Sequence, residues 1–428
     1  MGTGKSRCAI ELAKRLNARK VLILCPLSVC SAWSSQLLQF GVDLIDINLA
    51  KGSVRAKHKK AKEAAARAYA MGEPFVVTVN YESARNKPLA QWLEEQRFDL
   101  LVMDESHRIK SPSGTTSRWV SKLARTCKRR VALTGTPMPH SPLDIFAQMR
   151  ALAPDVFGWS FVRFRKLYAR MGGYQGRQVQ GFQRMDELQH KLSRWTYQAD
   201  RSVLDLPEAT HNRRVIDLSA KARKLYNDMD RDFTASVLEG EISAANALVK
   251  LLRLQQMTSG RVTVESETTK ELVVVDNGKR DALADILQDL PITEPVVVFG
   301  RFSSDLLAAH EAAAATGRRS LELSGSRREL EKWQAGAAPV LAVQIQSGGT
   351  GIDLTRACYC IYLSVGYSLG DYEQSLARVH RPGQHRPVSY YHIIARNTID
   401  EKVYSALQQR KQIVEAVLAG ITPSPLTP

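Results

Sequence analysis

The sequence predicts an α/β protein made of two parallel-sheet lobes with a helical insert between them. Three observations carry that expectation. Short apolar runs alternate with helical stretches over residues 1–150, the alternation lapses over 151–272, and it resumes over 273–420. In the first stretch the strands are expected at Val21–Cys25, Phe75–Val79, Phe98–Met103 and Arg129–Leu133, each bounded by polar or helix-forming residues. In the middle stretch the strand signal fades and charged, helix-like segments take over, among them Leu188–Arg194 and Ala220–Leu238. Strands return at Val296–Phe299, Val340–Ile345, Tyr359–Leu363 and Val388–Ile394, and a last helix covers Ile399–Leu418. Residues 421–428 carry three prolines and read as a frayed tail.

At 428 residues and 44% hydrophobic content the chain is too long for one typical core and ample for two or three domains. Sixty basic against 43 acidic residues give a net charge of +17, which favours a polyanionic partner and salt-dependent binding. Nucleic acid is the natural candidate. The membrane surface is the competing polyanion, but the sequence has neither an apolar run of roughly 18 residues nor a secretory h-region. The six cysteines, at 8, 25, 30, 127, 358 and 360, form no Cys-x-x-Cys pair. They read as reduced thiols rather than a zinc site or a disulfide framework, in keeping with a cytoplasmic protein.

Four motifs suggest phosphate chemistry. Gly2-Thr3-Gly4-Lys5-Ser6 resembles the end of a phosphate-binding loop. Its glycines let backbone N–H groups turn onto phosphates, Lys5 reaches β/γ oxygens, Ser6 holds Mg²⁺, and the following helix aims its N-terminus at the anion. Asp104-Glu105-Ser106-His107 follows a buried strand. At that position Asp104 becomes a second Mg²⁺ holder and Glu105 the group that orients or deprotonates an attacking water. Thr134-Gly135-Thr136-Pro137 ends the next strand and offers hydroxyls that can transmit a change at the γ-phosphate. A helix expected over Asp371–His380 places Gln374, Arg378 and Arg381 at spacings of four and three on one face, where a guanidinium can neutralise a transferring phosphoryl group. Each motif alone has a plain structural reading as a turn, a loop or a solvated basic face. The densest basic segment, Lys51–Arg67, is equally readable as a phosphate-holding patch or an exposed helix.

With Leu133-Thr-Gly-Thr-Pro137, Ser347-Gly-Gly-Thr-Gly-Ile-Asp-Leu354 and Gln374-x-x-x-Arg-x-His-Arg-Pro-Gly-Gln384 added, the chain resembles the Swi/Snf-type branch of superfamily 2 helicases over nearly its whole length. Weaker marks are Cys25-Pro26-Leu27-Ser28 with Trp33, Val79–Glu82, Asp205-Leu206-Pro207, Leu252–Gln256 and Asn397–Lys402. The resemblance implies two RecA-like lobes of the P-loop NTPase type that close over ATP and Mg²⁺, with the acid pair on the first lobe and the arginines on the second. It implies that Gly351 and Asp353 lie near the nucleotide. It also implies that Pro26, Ser28, Asn80, Tyr81, Ser324, Gly325, Gly349 and Thr350 lie along a nucleic-acid track. Duplex DNA is the favoured partner.

The departures matter too. Phe299-Gly300-Arg301-Phe302 stands where chromatin remodellers usually have Phe-Ser-Gln-Phe, and Tyr197–Leu204 lacks a paired basic residue, so the chain looks more like the compact bacterial, phage and annealing-helicase members. Met1 falls inside the phosphate-loop motif, so the expected residue five positions before Gly4, and the strand ahead of it, are not in the sequence. A truncated or misassigned start is the reading, with a destabilised first lobe as its consequence. Three functions stay open on the sequence: a DNA-stimulated ATPase and translocase, an RNA- or single-strand-directed unwinding helicase, and a nucleic-acid-binding remnant without ATPase activity.

Overall fold

The structure is a computed structural model, and it describes residues 2–40, 44–173, 176, 178–199, 203–238, 244–265, 270–346 and 352–419. The tail expected over 421–428 and the residues Ser347, Gly348, Gly349, Thr350 and Gly351 lie outside the described residues. The chain forms two compact units, Met1–Leu204 with Arg410–Pro428, and Asp205–Gln409.

The first unit holds five strands, β1 (Lys20–Cys25), β2 (Ile45–Asn48), β3 (Phe75–Asn80), β4 (Leu100–Asp104) and β5 (Arg129–Leu133). They pair in parallel in the order β2-β3-β1-β4-β5. Successive side chains of a strand face opposite sides, so the continuous apolar runs feed two cores. Leu22, Leu24, Val77, Val79, Leu101 and Met103 pack with Ala61, Ala65 and Ala68 of the helix Val54–Met71. Val21, Ile23, Leu100 and Val102 pack with Ala9, Ile10 and Ala13 of the helix Lys5–Arg15 and with Trp33. The pairing Leu24↔Met103 brings the carboxyl ends of β1 and β4 side by side, the edge at which parallel sheets bind ligands. A third cluster joins Phe146, Phe164, Tyr168, Leu188 and Leu192 to Val417 near the end of the last helix, Ile399–Ala419. An antiparallel hairpin, β6 (Ala169–Gly172) and β7 (Gln178–Phe182), lies in this part of the chain.

The second unit contains β8 (Ala209–Ile216), an antiparallel hairpin of β9 (Arg261–Glu265) and β10 (Lys270–Val274), and then β11 (Val296–Gly300), β12 (Ser320–Leu323), β13 (Val340–Gln344), β14 (Tyr359–Tyr362) and β15 (Val388–Ala395). Its six-stranded parallel sheet runs β12-β13-β11-β14-β15-β8. Val296, Val298, Val340, Ala342, Ile361 and Ile393 form one buried face against the helices Gly278–Gln288 and Ser303–Ala315. A buried ion pair pins the first of these helices to the start of the last helix. Lys279 Nζ lies 2.6 Å from Asp400 Oδ2, and Asp400 also accepts from the Thr258 hydroxyl at 2.9 Å and the Ala395 N–H at 3.1 Å.

All eight strands expected from apolar runs are present, most within a residue or two of the expected bounds. The stretch 151–272, expected to be helical, also contains β6 to β10. These strands are short or polar: β6, β7, β9 and β10 have four or five residues each, and β8 is almost wholly exposed. The sheet strands missed elsewhere, β2 and β12, are likewise edge strands of four residues. Among the described residues no helix is long and apolar enough to cross a membrane.

Candidate active site

In the first unit the phosphate-loop residues form a glycine turn into a helix. Gly2 and Gly4 have φ of 79° and 77°, in the left-handed region. A Cβ on Gly4 would meet nothing within 4 Å, so the backbone angle, not crowding, is what calls for glycine there. Gly4 caps the helix Lys5–Arg15 without a side-chain bond, and no acid sits in the first turn, so its N–H groups are left for an anion. Thr3, Lys5 and Ser6 are half-buried, and Lys5's positive charge acts on Asp104.

Asp104 is the last residue of β4 and is 7% exposed. Its Oδ2 accepts from the Trp33 indole N–H at 2.9 Å, and its Oδ1 from the Glu105 N–H at 3.0 Å. Burial first, and the neighbouring Glu105 carboxylate second, push its pKa up to about 6. Glu105 itself turns the chain with φ 50° and ψ 53°, an uncommon backbone for a residue with a Cβ. Its Oε2 lies 3.2 Å from His107 Nδ1, and the same nitrogen lies 3.3 Å from Thr134 Oγ1, which accepts from the Thr136 N–H at 3.0 Å. His107 therefore links the acid pair to the Thr-Gly-Thr turn. Local sequence shows neither this bridge nor the Trp33 bond, which spans 71 positions.

A buried carboxylate next to a helix that presents Ser6 is a hard-oxygen donor set suited to Mg²⁺. Among the described residues no group of three or more His, Cys, Asp or Glu is placed to hold a metal ion, so such a cation would complete its shell with substrate oxygens and water. The raised pKa has a consequence for folding. Ionised Asp104 costs free energy in the native state; its contribution is most favourable below pH 4, near the ordinary carboxylate value of 3.8, and is lost as pH rises through about 6. Asp104→Asn removes that penalty, about 3 kcal/mol at pH 7.5, but loses one of the two N–H bonds the carboxylate accepts, so the metal-free protein is expected to gain less than that, with the gain shrinking as pH falls from 6 towards 4. Chemical denaturation across that pH range checks it, and a gain that does not change with pH would refute the assignment.

The track residues of the first unit separate by exposure. Ser28 is exposed and Pro26 is buried in the turn after β1. Tyr81 is buried and its hydroxyl donates to the Asp104 carbonyl at 2.9 Å. Asn80 is 5% exposed; its side-chain oxygen accepts from Lys57 Nζ at 3.0 Å and its amide donates to Glu82 at 3.0 Å. Lys57, one of the basic residues of the Lys51–Arg67 segment, is itself buried. Tyr81 and Asn80 thus brace the carboxyl edge of the sheet from beneath.

In the second unit, the arginine helix runs Leu369–Val379, with Gln374 and Arg378 half-buried on it. Arg381 lies beyond its end, not on the helix face expected for it. Pro382 restricts Arg381 to extended backbone, and His380 has already left the helix at φ −88°, ψ 83°. Tertiary bonds nonetheless bring the same residues together with the 352–357 segment. The Arg381 guanidinium donates to the Ile352 carbonyl at 3.1 Å, and the Leu354 N–H to the Arg378 carbonyl at 3.1 Å. Gln384 donates to the Thr355 and Ala357 carbonyls at 3.1 and 2.8 Å. Asp353 Oδ1 accepts from the Thr355 N–H at 2.9 Å, fixing the turn that carries it. His380 donates to the Pro207 carbonyl at 2.7 Å, tying in the Asp-Leu-Pro mark. The unusual Arg301 finds its partner in Gln255 Oε1, and Gln255 donates onward to the Val365 carbonyl at 3.1 Å.

Ser324 is buried, donating to Glu322 at 2.6 Å and accepting from the Ser326 and Arg327 N–H groups at 3.2 Å. Gly325 is exposed beside it. A cavity of about 270 Å³ opens here, lined among others by His310, Glu322, Ser324, Ser326 and Arg327.

Two parallel α/β sheets, one ending in a phosphate-loop helix and acid pair and the other in an arginine helix, define a protein with the two RecA-like lobes of a P-loop NTPase. The chain belongs to the SNF2-related domain family, whose model matches residues 3–263, and the helicase conserved C-terminal domain matches residues 243–383. It is 26% identical to protein p41 of Acyrthosiphon pisum secondary endosymbiont phage 1, over 98% of this chain and 93% of that protein. It is 25% identical to the DNA annealing helicase and endonuclease ZRANB3 of Bos taurus and 23% identical to the uncharacterized ATP-dependent helicase MG018 of Mycoplasma genitalium. These matches cover 98% and 93% of this chain but only 38% and 37% of the relatives, so the chain spans less than half the length of either. Among solved structures, the Sulfolobus solfataricus SWI2/SNF2 ATPase core in complex with dsDNA matches at 21% identity and a TM-score of 0.40, covering 98% of this chain and 88% of that one.

Proposed function

We propose that the protein is a nucleic-acid-stimulated ATPase that couples hydrolysis of ATP to movement along duplex DNA. The observation that carries this reading is the buried Asp104 beside Glu105 at the end of β4, with Lys5's charge acting on it and His107 linking it to Thr134. In this reading Gly2, Thr3, Gly4 and the first turn of their helix cradle the phosphates, and Lys5 pairs with the β/γ oxygens. Ser6 and Asp104 would hold Mg²⁺, which would supply charge neutralisation at the phosphates. Glu105 takes the proton of the attacking water. Arg378 and Arg381 are the proposed source of positive charge for the transferring phosphoryl group, with Gln374, Gly351 and Asp353 beside the nucleotide.

The DNA assignment draws on the net charge of +17 and on DNA-acting relatives such as ZRANB3. Ser28, Gly325, Gly349 and Thr350 are proposed to meet backbone phosphates, with Pro26, Asn80, Tyr81 and Ser324 shaping the turns that do so. Contacts of this kind position the protein without reading sequence.

ATP turnover measured without nucleic acid, and with single-stranded DNA, duplex DNA and RNA, tests the reading. Duplex DNA is expected to stimulate most, with affinity falling steeply between 50 and 200 mM salt, by roughly 10³ or more if six phosphates are contacted. Displacement of a triplex-forming strand from an otherwise intact duplex would then show translocation. Greater stimulation by RNA or single strands, or no hydrolysis with any of them, would overturn the proposal.

A further inference from the structure

The helix that presents Gln374 and Arg378 is held from its opposite side by three side chains of the sheet beneath it. The Tyr362 hydroxyl on β14 lies 2.8 Å from Ser375 Oγ, and Ser375 Oγ donates to the Tyr372 carbonyl at 2.7 Å. The Tyr390 hydroxyl on β15 donates to the Leu376 carbonyl at 2.8 Å. The Tyr372 hydroxyl lies 2.9 Å from His392 Nε2, also on β15. Residues 372, 375, 376 and 379 make one helix face and 374 and 378 another, so these bonds fix the rotation of the helix about its own axis.

His392 differs from the other two anchors because it meets the helix through a ring nitrogen rather than through a tyrosine hydroxyl. The ring is 4% exposed, sandwiched by Tyr362 at 5.0 Å and an interplanar angle of 7° and by His211 at 5.8 Å, with the edge of Tyr404 at 5.1 Å. Burial pushes its pKa down to about 3, so the imidazole is neutral and carries a single N–H. The backbone of Asn212 in β8 favours the N–H on the other ring nitrogen. In that tautomer Nε2 accepts from the Tyr372 O–H at 2.9 Å. The stacked rings hold the plane of the imidazole in which Nε2 faces that hydroxyl.

We propose that His392 is a positioning residue for the arginine helix: its Nε2 holds the Tyr372 hydroxyl and so sets the rotation at which Arg378 is presented. The inference rests on the proposed role of Arg378 in hydrolysis. A guanidinium displaced by about 1 Å loses much of its effect on a transition state while leaving ground-state binding nearly intact.

The test is DNA-stimulated ATP turnover of the full chain carrying His392→Phe, which keeps the stack and removes the acceptor, Tyr372→Phe, which removes the donor, the double variant, and His392→Gln, whose amide oxygen can replace Nε2. Each Phe variant is expected to lower kcat by about ten- to a hundredfold with KM for ATP within about twofold. The double variant should be no worse than the single ones, and His392→Gln should recover most of the rate. A kcat within twofold of the parent, additive losses, or a His392→Gln variant as slow as His392→Phe would overturn the proposal. Arg378→Ala run alongside separates the two readings. If it slows turnover while His392→Phe does not, the positioning role alone fails; if it has no effect, or the parent chain is inactive, both fail.

Discussion

Replacing Glu105 by Gln is expected to cut DNA-stimulated ATP turnover by about 10² to 10⁴-fold while nucleic-acid binding stays within a few-fold of the parent. The substitution keeps the size and most of the hydrogen bonding of the side chain and removes only its capacity to take a proton. Glu105 is well placed for that chemistry. Its side chain is 13% exposed, it stands beside the carboxylate of Asp104, and His107 Nδ1 lies 3.2 Å away. The backbone at φ 50° turns Glu105 out of the strand line that Asp104 follows, in line with the separate tasks proposed for the two acids. Single-turnover hydrolysis and filter binding on the same preparation provide the check. A variant that retains turnover above one tenth of the parent would remove Glu105 from the general-base role.

Arg378→Ala is the second large effect, expected at about 10³-fold or more in kcat, the range set by removing an arginine that stabilises phosphoryl charge. Arg378→Lys should recover little, because an ammonium cannot reproduce the planar fork of a guanidinium. The fold of the second unit should survive both changes. The Arg378 carbonyl, not its side chain, accepts the Leu354 N–H, and the helix keeps Ser375, Leu376 and Val379 buried. Unchanged thermal melts with lost turnover would therefore be the expected pair of results. Arg381→Ala is a more mixed case, since its guanidinium also holds the Ile352 carbonyl.

The central strands were legible because each is an uninterrupted apolar run buried on both faces, as in Leu100–Met103 and Val296–Phe299. Of the edge strands only β5, with its apolar Val131-Ala132-Leu133, was. In β8 the sequence Thr-His-Asn-Arg-Arg-Val has a solvated face and an open edge, and such residues look the same in a loop. The acid pair and the phosphate-loop helix were legible because their chemistry is compact in sequence. The Trp33 bond to Asp104, the Tyr81 hydroxyl on the Asp104 carbonyl and the His107 bridge to Thr134 were not, since they form between segments that only the fold brings together. Arg381 shows the reverse error, a regular spacing extended two residues past the helix end, up to a proline whose effect on the preceding residue was not weighed.

The placing of β8 has a consequence for how the second unit comes into being. It is the first strand of its sheet to leave the ribosome, and its only neighbour, β15, is among the last: Thr210 meets Ser389 across 179 positions. At about 5 to 20 residues per second, β8 waits some tens of seconds for its partner to be made. An apolar strand exposed for that long would seek other edges. The polar and basic side chains of β8 make it a poor template for association during the wait, and the loop closed by its eventual pairing makes that pairing a late event in folding.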